Sequence, residues 1–179
     1  MDDKLETLLT RISECGFKQT GVLPTSEIGF YEEVRELCRK NSCGMYAKNW
    51  ACPPSFGTVE ECRQTCLEYD KIVLVNGVFA LEDSFDIEGM HAAMHGFKKQ
   101  MDALFVIARE IYPRCLMMSN EGCARCGACT YPNAPCRFPD RLFHPIEGYG
   151  INVYELSKKA GMNYINGKNT VTYFGAVLI

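Results

Sequence analysis

No apolar run in the chain approaches the ~18 residues that a membrane-crossing helix needs, so no membrane span is expected. Basic residues are not in excess: 19 Lys and Arg stand against 22 Asp and Glu, a net charge of −3. That balance argues against a nucleic-acid-wrapping surface, and no nucleic-acid partner is expected. Gly-x-Gly-x-x-Gly, phosphate-loop, His-Glu-x-x-His and Gly-x-Ser-x-Gly motifs are all missing. Dinucleotide binding, nucleotide hydrolysis and serine hydrolysis therefore have no sequence support. The first residues lack the basic and apolar regions of a signal peptide, which makes the cytoplasm the expected location. Repeats, low-complexity tracts and linker-like runs are also lacking, so residues 1–179 are expected to form a single domain.

What the chain does have is cysteine: 11 of 179 residues. A chain of this size buries roughly 70% of its unfolded surface and needs no cross-link to hold a core. Reducing compartments keep thiols free, and an odd count fits metal or redox chemistry better than a disulfide framework.

Helical spacing of apolar residues predicts helices over 5–15, 30–39, 59–68, 87–112 and 153–160. In the longest, Ile87, Met90, Met94, Phe97, Met101, Leu104, Phe105, Ala108 and Ile111 trace one stripe, which Pro113 ends. Strands are expected over 17–23, 71–80, 114–119 and 170–179. The fold class that follows is α+β (or α/β), an approximately four-stranded sheet packed by helices, with two cysteine-rich metal-binding loops over 41–57 and 121–139.

The second loop carries Cys123-x2-Cys126-x2-Cys129, then Cys136 after six further residues. A cubane [4Fe–4S] cluster needs thiolates on separate irons, and closely spaced cysteines wrap a short loop around one corner of it. The small residues Ala124, Gly127 and Ala128 let backbone N–H groups approach the sulfides. Zinc, the alternative, usually takes two widely separated ligand pairs. Cys38, Cys43 and Cys52 form a second, irregular group, with Pro53-Pro54 following. Two [4Fe–4S] clusters need eight thiolates and these groups offer seven. Cys52 and Cys136 have two possible allegiances, since in two-cluster ferredoxins the cysteine before proline serves the other cluster. An iron left without cysteine would be capped by Cys115, by another group or by substrate. One or two clusters, or zinc, are thus the candidate cofactors. The partner is an unidentified redox protein or small-molecule substrate.

Cys62 and Cys66, at i and i+4 with Val59 and Tyr69, read as core thiols, and Cys15 as a packing residue. His91 and His95 fall off the apolar stripe, on a solvated face with Glu88, Lys98, Lys99 and Asp102. His144 is the better histidine for proton or ligand chemistry, being near the second loop in sequence. Arg125, Arg137 and Arg141 are positioned to offset an anionic cluster.

Taken together, Cys38-x4-Cys43, Gly44-Met45-Tyr46-x3-Trp50-Ala51-Cys52-Pro53-Pro54, Gly122-Cys123-x2-Cys126-x2-Cys129-Thr130-Tyr131-Pro132, Pro135-Cys136-Arg137-x-Pro139 and Glu147-x2-Gly150-Ile151-Asn152-Val153 resemble one family. It is the cysteine-rich predicted metal-binding family catalogued as a domain of unknown function, two-two-eight-four, of anaerobic bacteria and archaea. The resemblance implies a metal site and no assigned reaction. Family members usually read Tyr-Gly in the first loop where this chain has Met45-Tyr46-Ala47, a departure expected to alter local backbone geometry without touching a thiol.

Overall fold

The computed structural model describes residues 3–120 and 122–179; Met1, Asp2 and Glu121, the first residue of the expected second loop, lie outside the described residues. Five helices occur where the periodicity places them: α1 (Asp3–Ser13), α2 (Glu32–Arg39), α3 (Val59–Leu67), α4 (Ile87–Ile111) and α5 (Val153–Lys159). Polar caps fix their starts. Thr58 and Glu61 form a reciprocal capping box on α3, Asp86 accepts from Gly89 N at 2.8 Å on α4, and Asn152 accepts from Glu155 N at 3.1 Å on α5. Each such cap is worth about 1 kcal/mol. Ile87, the first member of the expected α4 stripe, is 64% exposed; the buried residues of this helix run from Ala93 to Ala108.

The strands β1 (Gln19–Pro24), β2 (Lys71–Ala80), β3 (Leu116–Ser119), β4 (His144–Pro145) and β5 (Thr170–Leu178) form one mixed sheet in the order β1-β2-β5-β3-β4. The long β2 and β5 pair antiparallel over nine positions, while β3 and β4 run parallel. The fold is α+β, and the sheet has five strands instead of about four. The extra strand is β4, whose two residues, one a proline, are too few to show an alternating pattern.

Successive residues of the central strands enter opposite cores, as a pleated sheet covered on both faces requires. Ile72, Leu74, Met118, Ala176 and Leu178 join α3, α5 and Tyr149 on one side. Val73, Val75, Met117 and Val177 meet Leu5, Leu8 and Ile12 of α1 and Phe97, Met101 and Leu104 of α4 on the other. Cys62 and Cys66 are buried in the first core, as their spacing predicts. Among the described residues, no helix is long and apolar enough to cross a membrane.

Candidate metal centre

Cys38 lies in the last turn of α2, and the chain beyond it turns by local hydrogen bonds instead of regular structure. Asn41 and Ala47 take positive φ values of 54° and 55°, beside Gly44 at 74°. Asn41 Oδ1 accepts from Tyr46 N at 2.9 Å, Ala47 N donates to Pro53 O at 2.8 Å, and Asn49 Oδ1 accepts from Ala51 N at 2.9 Å. The result brings Cys38, Cys43 and Cys52 to the wall of one cavity of about 280 Å³, also lined by Pro145, Val153, Tyr164 and Phe174.

Burial pushes the Cys52 thiol up to about 11, against the hydrogen bond from Asn49, and its neighbours Cys43 and Cys38 raise it further. Cys38 is also raised, first by burial and then by the charge of Glu147, with Arg35 opposing. Both thiols hold their protons at neutral pH, so a metal that takes them as thiolates releases protons on binding.

The second loop runs from the end of β3 to β4 and folds around its own thiols. Cys123, Cys126, Cys129 and Cys136 line one narrow cavity of about 20 Å³, with Trp50 of the first loop at its wall. Cys52 therefore groups with Cys38 and Cys43, and Cys136 with the Cys-x2-Cys-x2-Cys run. Phe138 N donates to Cys136 Sγ at 3.4 Å, the N–H···S contact that tunes thiolate ligands of a cluster. Among the described residues, no three His, Cys, Asp or Glu side chains converge closely enough to hold a single metal ion.

Several residues that clamp this loop have no spacing signature. Asp102 on α4 pairs with the Arg125 guanidinium through both carboxylate oxygens, one contact being Nη1 to Oδ2 at 3.1 Å. Arg125 Nε also donates to Arg141 O at 2.7 Å, and Arg137 Nη1 to Ala128 O at 2.9 Å. Lys98 Nζ donates to Asn120 O and Gly122 O at 3.0 and 2.8 Å. His91 and His95 are exposed as expected, but Lys98 and Asp102 of the same helix are loop anchors, not solvated charges. The two loops touch: Trp50 Nε1 donates to Ala134 O at 3.0 Å, its ring meets Tyr131 edge-on, and a Cβ on Gly122 would sit 3.1 Å from Met45. Glycine at 122 is the visible trace of that approach.

His144 plays a positional part. Its Nδ1 lies 2.9 Å from Ala51 O, and because a carbonyl only accepts, that nitrogen carries the proton. The ring packs on Phe56 at 4.2 Å, and burial pushes its pKa down, so it is neutral at pH 7. Cys15 and Cys115 are partly buried, and Cys115 packs against the α1/α4 core.

The chain has no match among curated proteins and none among solved structures. From residue 21 to residue 179 it matches the family described as predicted metal-binding protein (DUF2284), and with these loops in place the chain belongs to that family.

Proposed function

We propose that this protein is a cytoplasmic iron–sulfur protein in which Cys123, Cys126, Cys129 and Cys136 hold a [4Fe–4S] cluster for electron transfer or cluster delivery. The observation that carries this reading is that these four thiols line one cavity. The donor set fits the group: four soft thiolates, small residues between them, and an N–H already directed at Cys136 Sγ. When bound, such a cluster supplies reversible one-electron chemistry. Around it, Arg137 offsets thiolate charge, and the exposed Cys129 leaves one corner of the loop open to a partner protein.

Zinc is the weaker fit. Zinc usually takes two widely separated ligand pairs, whereas thiols two residues apart, as in Cys123, Cys126 and Cys129, wrap one corner of a cubane cluster.

A second reading, an enzyme with an open iron position, is favoured by one observation: Cys38, Cys43 and Cys52 face a cavity much roomier than that of the second loop. Three cysteines leave one iron of a four-iron cluster without protein thiolate.

Both readings are tested by anaerobic purification followed by iron, zinc and acid-labile sulfide counts, with electron paramagnetic resonance before and after reduction. About eight irons and eight sulfides per chain support two clusters, and about four of each support one. Zinc without sulfide overturns the iron–sulfur reading. Cys126→Ser is expected to lose most bound iron and Cys62→Ser to keep it; equal retention in the two would reject the ligand assignment.

A further inference from the structure

Lys98, Lys99 and Asp102 stand at i, i+1 and i+4 on α4 and line a cleft of about 190 Å³, whose other wall includes Cys123, Arg125 and Arg141 beyond β3. Four of these side chains are Lys or Arg and one, Asp102, is a carboxylate, in a chain whose net charge is −3. Anchoring the second loop uses part of that positive charge. Asp102 is taken by Arg125, and Lys98 Nζ donates to two backbone carbonyls. Lys99 and Arg141 remain. Lys99 is exposed and forms no ion pair with a described residue, and Arg141 Nη1 lies 3.9 Å from Asp102 Oδ1, too far for a hydrogen bond. The Arg141 guanidinium sits 5.4 Å over the Phe105 ring and that of Arg125 4.9 Å over Phe143, so both are held in place before a ligand arrives. Donors positioned in advance lose little freedom on binding, and a guanidinium fork matches two oxygens of a phosphate or carboxylate. The space is smaller than the ~300–1,000 Å³ typical of small-molecule sites, which suits a compact ion.

We propose that this cleft binds a small oxyanion, a phosphate or carboxylate group of a small molecule, held by Lys99 and Arg141 against the Cys123 wall that the cleft shares with the cavity of the second loop. The binding itself rests on the cleft; its coupling to a metal rests on the ligand assignment proposed above. On that assignment the thiolates of a loaded loop add negative charge beside the anion. Anion binding and cluster loading then oppose each other, each weakening the other by the same factor.

The test is calorimetric titration of the full chain with inorganic phosphate at pH 8, in reductant and at ionic strength held constant with sodium chloride. Metal-free protein is expected to show saturable one-site binding. Lys99→Gln and Arg141→Gln should each weaken it about fivefold, the scale of one exposed charge pair. Lys158→Gln removes the same charge from α5, which packs on the opposite face of the sheet, and should leave binding unchanged. Absence of saturable phosphate binding, or equal losses in all three variants, overturns the proposal. If Arg141→Gln does not fold by circular dichroism, Lys99→Gln decides: unchanged binding in that variant also overturns it. Hexaglutamate binding without phosphate binding would make the cleft a docking face for an acidic protein and likewise overturns the small-molecule site. Protein loaded anaerobically, with iron and sulfide counted on the same sample, should bind phosphate about threefold more weakly than metal-free protein. Equal affinity in a chain that carries about four irons overturns the placement against Cys123. A chain that takes up no iron rejects the cluster, and phosphate binding lost in Lys99→Gln then still supports the anion site.

Discussion

Ala47 holds a backbone conformation that its side chain resists. At φ 55° it occupies the left-handed region, which glycine enters freely and a Cβ makes costly. The loop keeps the turn because Ala47 N is tied to Pro53 O and Asn41 holds Tyr46 N. Ala47→Gly is therefore expected to stabilise the protein by about 1 kcal/mol, read as a shifted urea midpoint with unchanged slope; a loss of stability would contradict the strain argument. Cys66 makes a residue-scale prediction of opposite character. Burial pushes its thiol up to about 12, and Cys62 adds to the rise. An unfolded thiol ionises near 8.5. The folded chain thus holds this proton more tightly than the unfolded one, and the contribution is intact below about pH 8.5 and fades as pH rises from there toward the folded value. Metal-free wild type should lose stability from pH 8 to pH 10 more steeply than Cys66→Ala does. Parallel profiles would show that Cys66 is not a source of the slope.

At the scale of elements, the second cysteine loop depends on α4. Arg125 and Asp102 are both largely shielded from solvent, so their bidentate pair is worth more than a surface bridge, on the order of 1–3 kcal/mol. Asp102→Asn is expected to leave the helices and sheet intact and loosen residues 122–143. Hydrogen exchange should rise there and nowhere else, and iron should leave faster to a chelator; unchanged exchange would show that the pair does not hold the loop. On the proposed reading the loop must also open, since its cavity of about 20 Å³ is smaller than a cubane cluster, so loading should change its exchange more than that of the first loop. The sequence carried the thiols and helices clearly because spacing encodes them directly: i, i+3, i+4 apolar residues for α4, and two-residue gaps for Cys123, Cys126 and Cys129. Asp102 and Lys98 were not legible. Their partners lie 22 to 24 positions away, and a charged residue on an outward helix face looks the same whether water or a loop covers it. His144 was legible as a residue near the loop, but its bond to Ala51 crosses 93 positions and turns it from a candidate acid into a brace.

For the whole molecule, the question is whether the thiol-bearing loops and the helical layers stand or fall together. The central sheet gives alternate side chains to both cores, so loss of one face removes half the packing of β2 and β5 and leaves the other unsupported. On that basis we propose that residues 1–179 form one cooperative domain. The chain offers two probes at separate places. Its single tryptophan, Trp50, reports from the junction of the cysteine loops, and far-ultraviolet circular dichroism reports chiefly from the helices. Leu8, fully buried between α1 and the sheet on the face opposite Cys62 and Cys66, supplies the perturbation. Leu8→Ala should cost about 2–5 kcal/mol. If the chain is one unit, that cost appears equally in both probes: metal-free protein in reductant should unfold in urea with coincident tryptophan and dichroism transitions, and both should move together in the variant. A tryptophan transition that stays in place while the dichroism shifts would divide the molecule into two units. Iron content per folded chain should not change in Leu8→Ala, because none of Cys38, Cys43, Cys52, Cys123, Cys126, Cys129 and Cys136 belongs to the core in which Leu8 packs and effects at separate sites add independently.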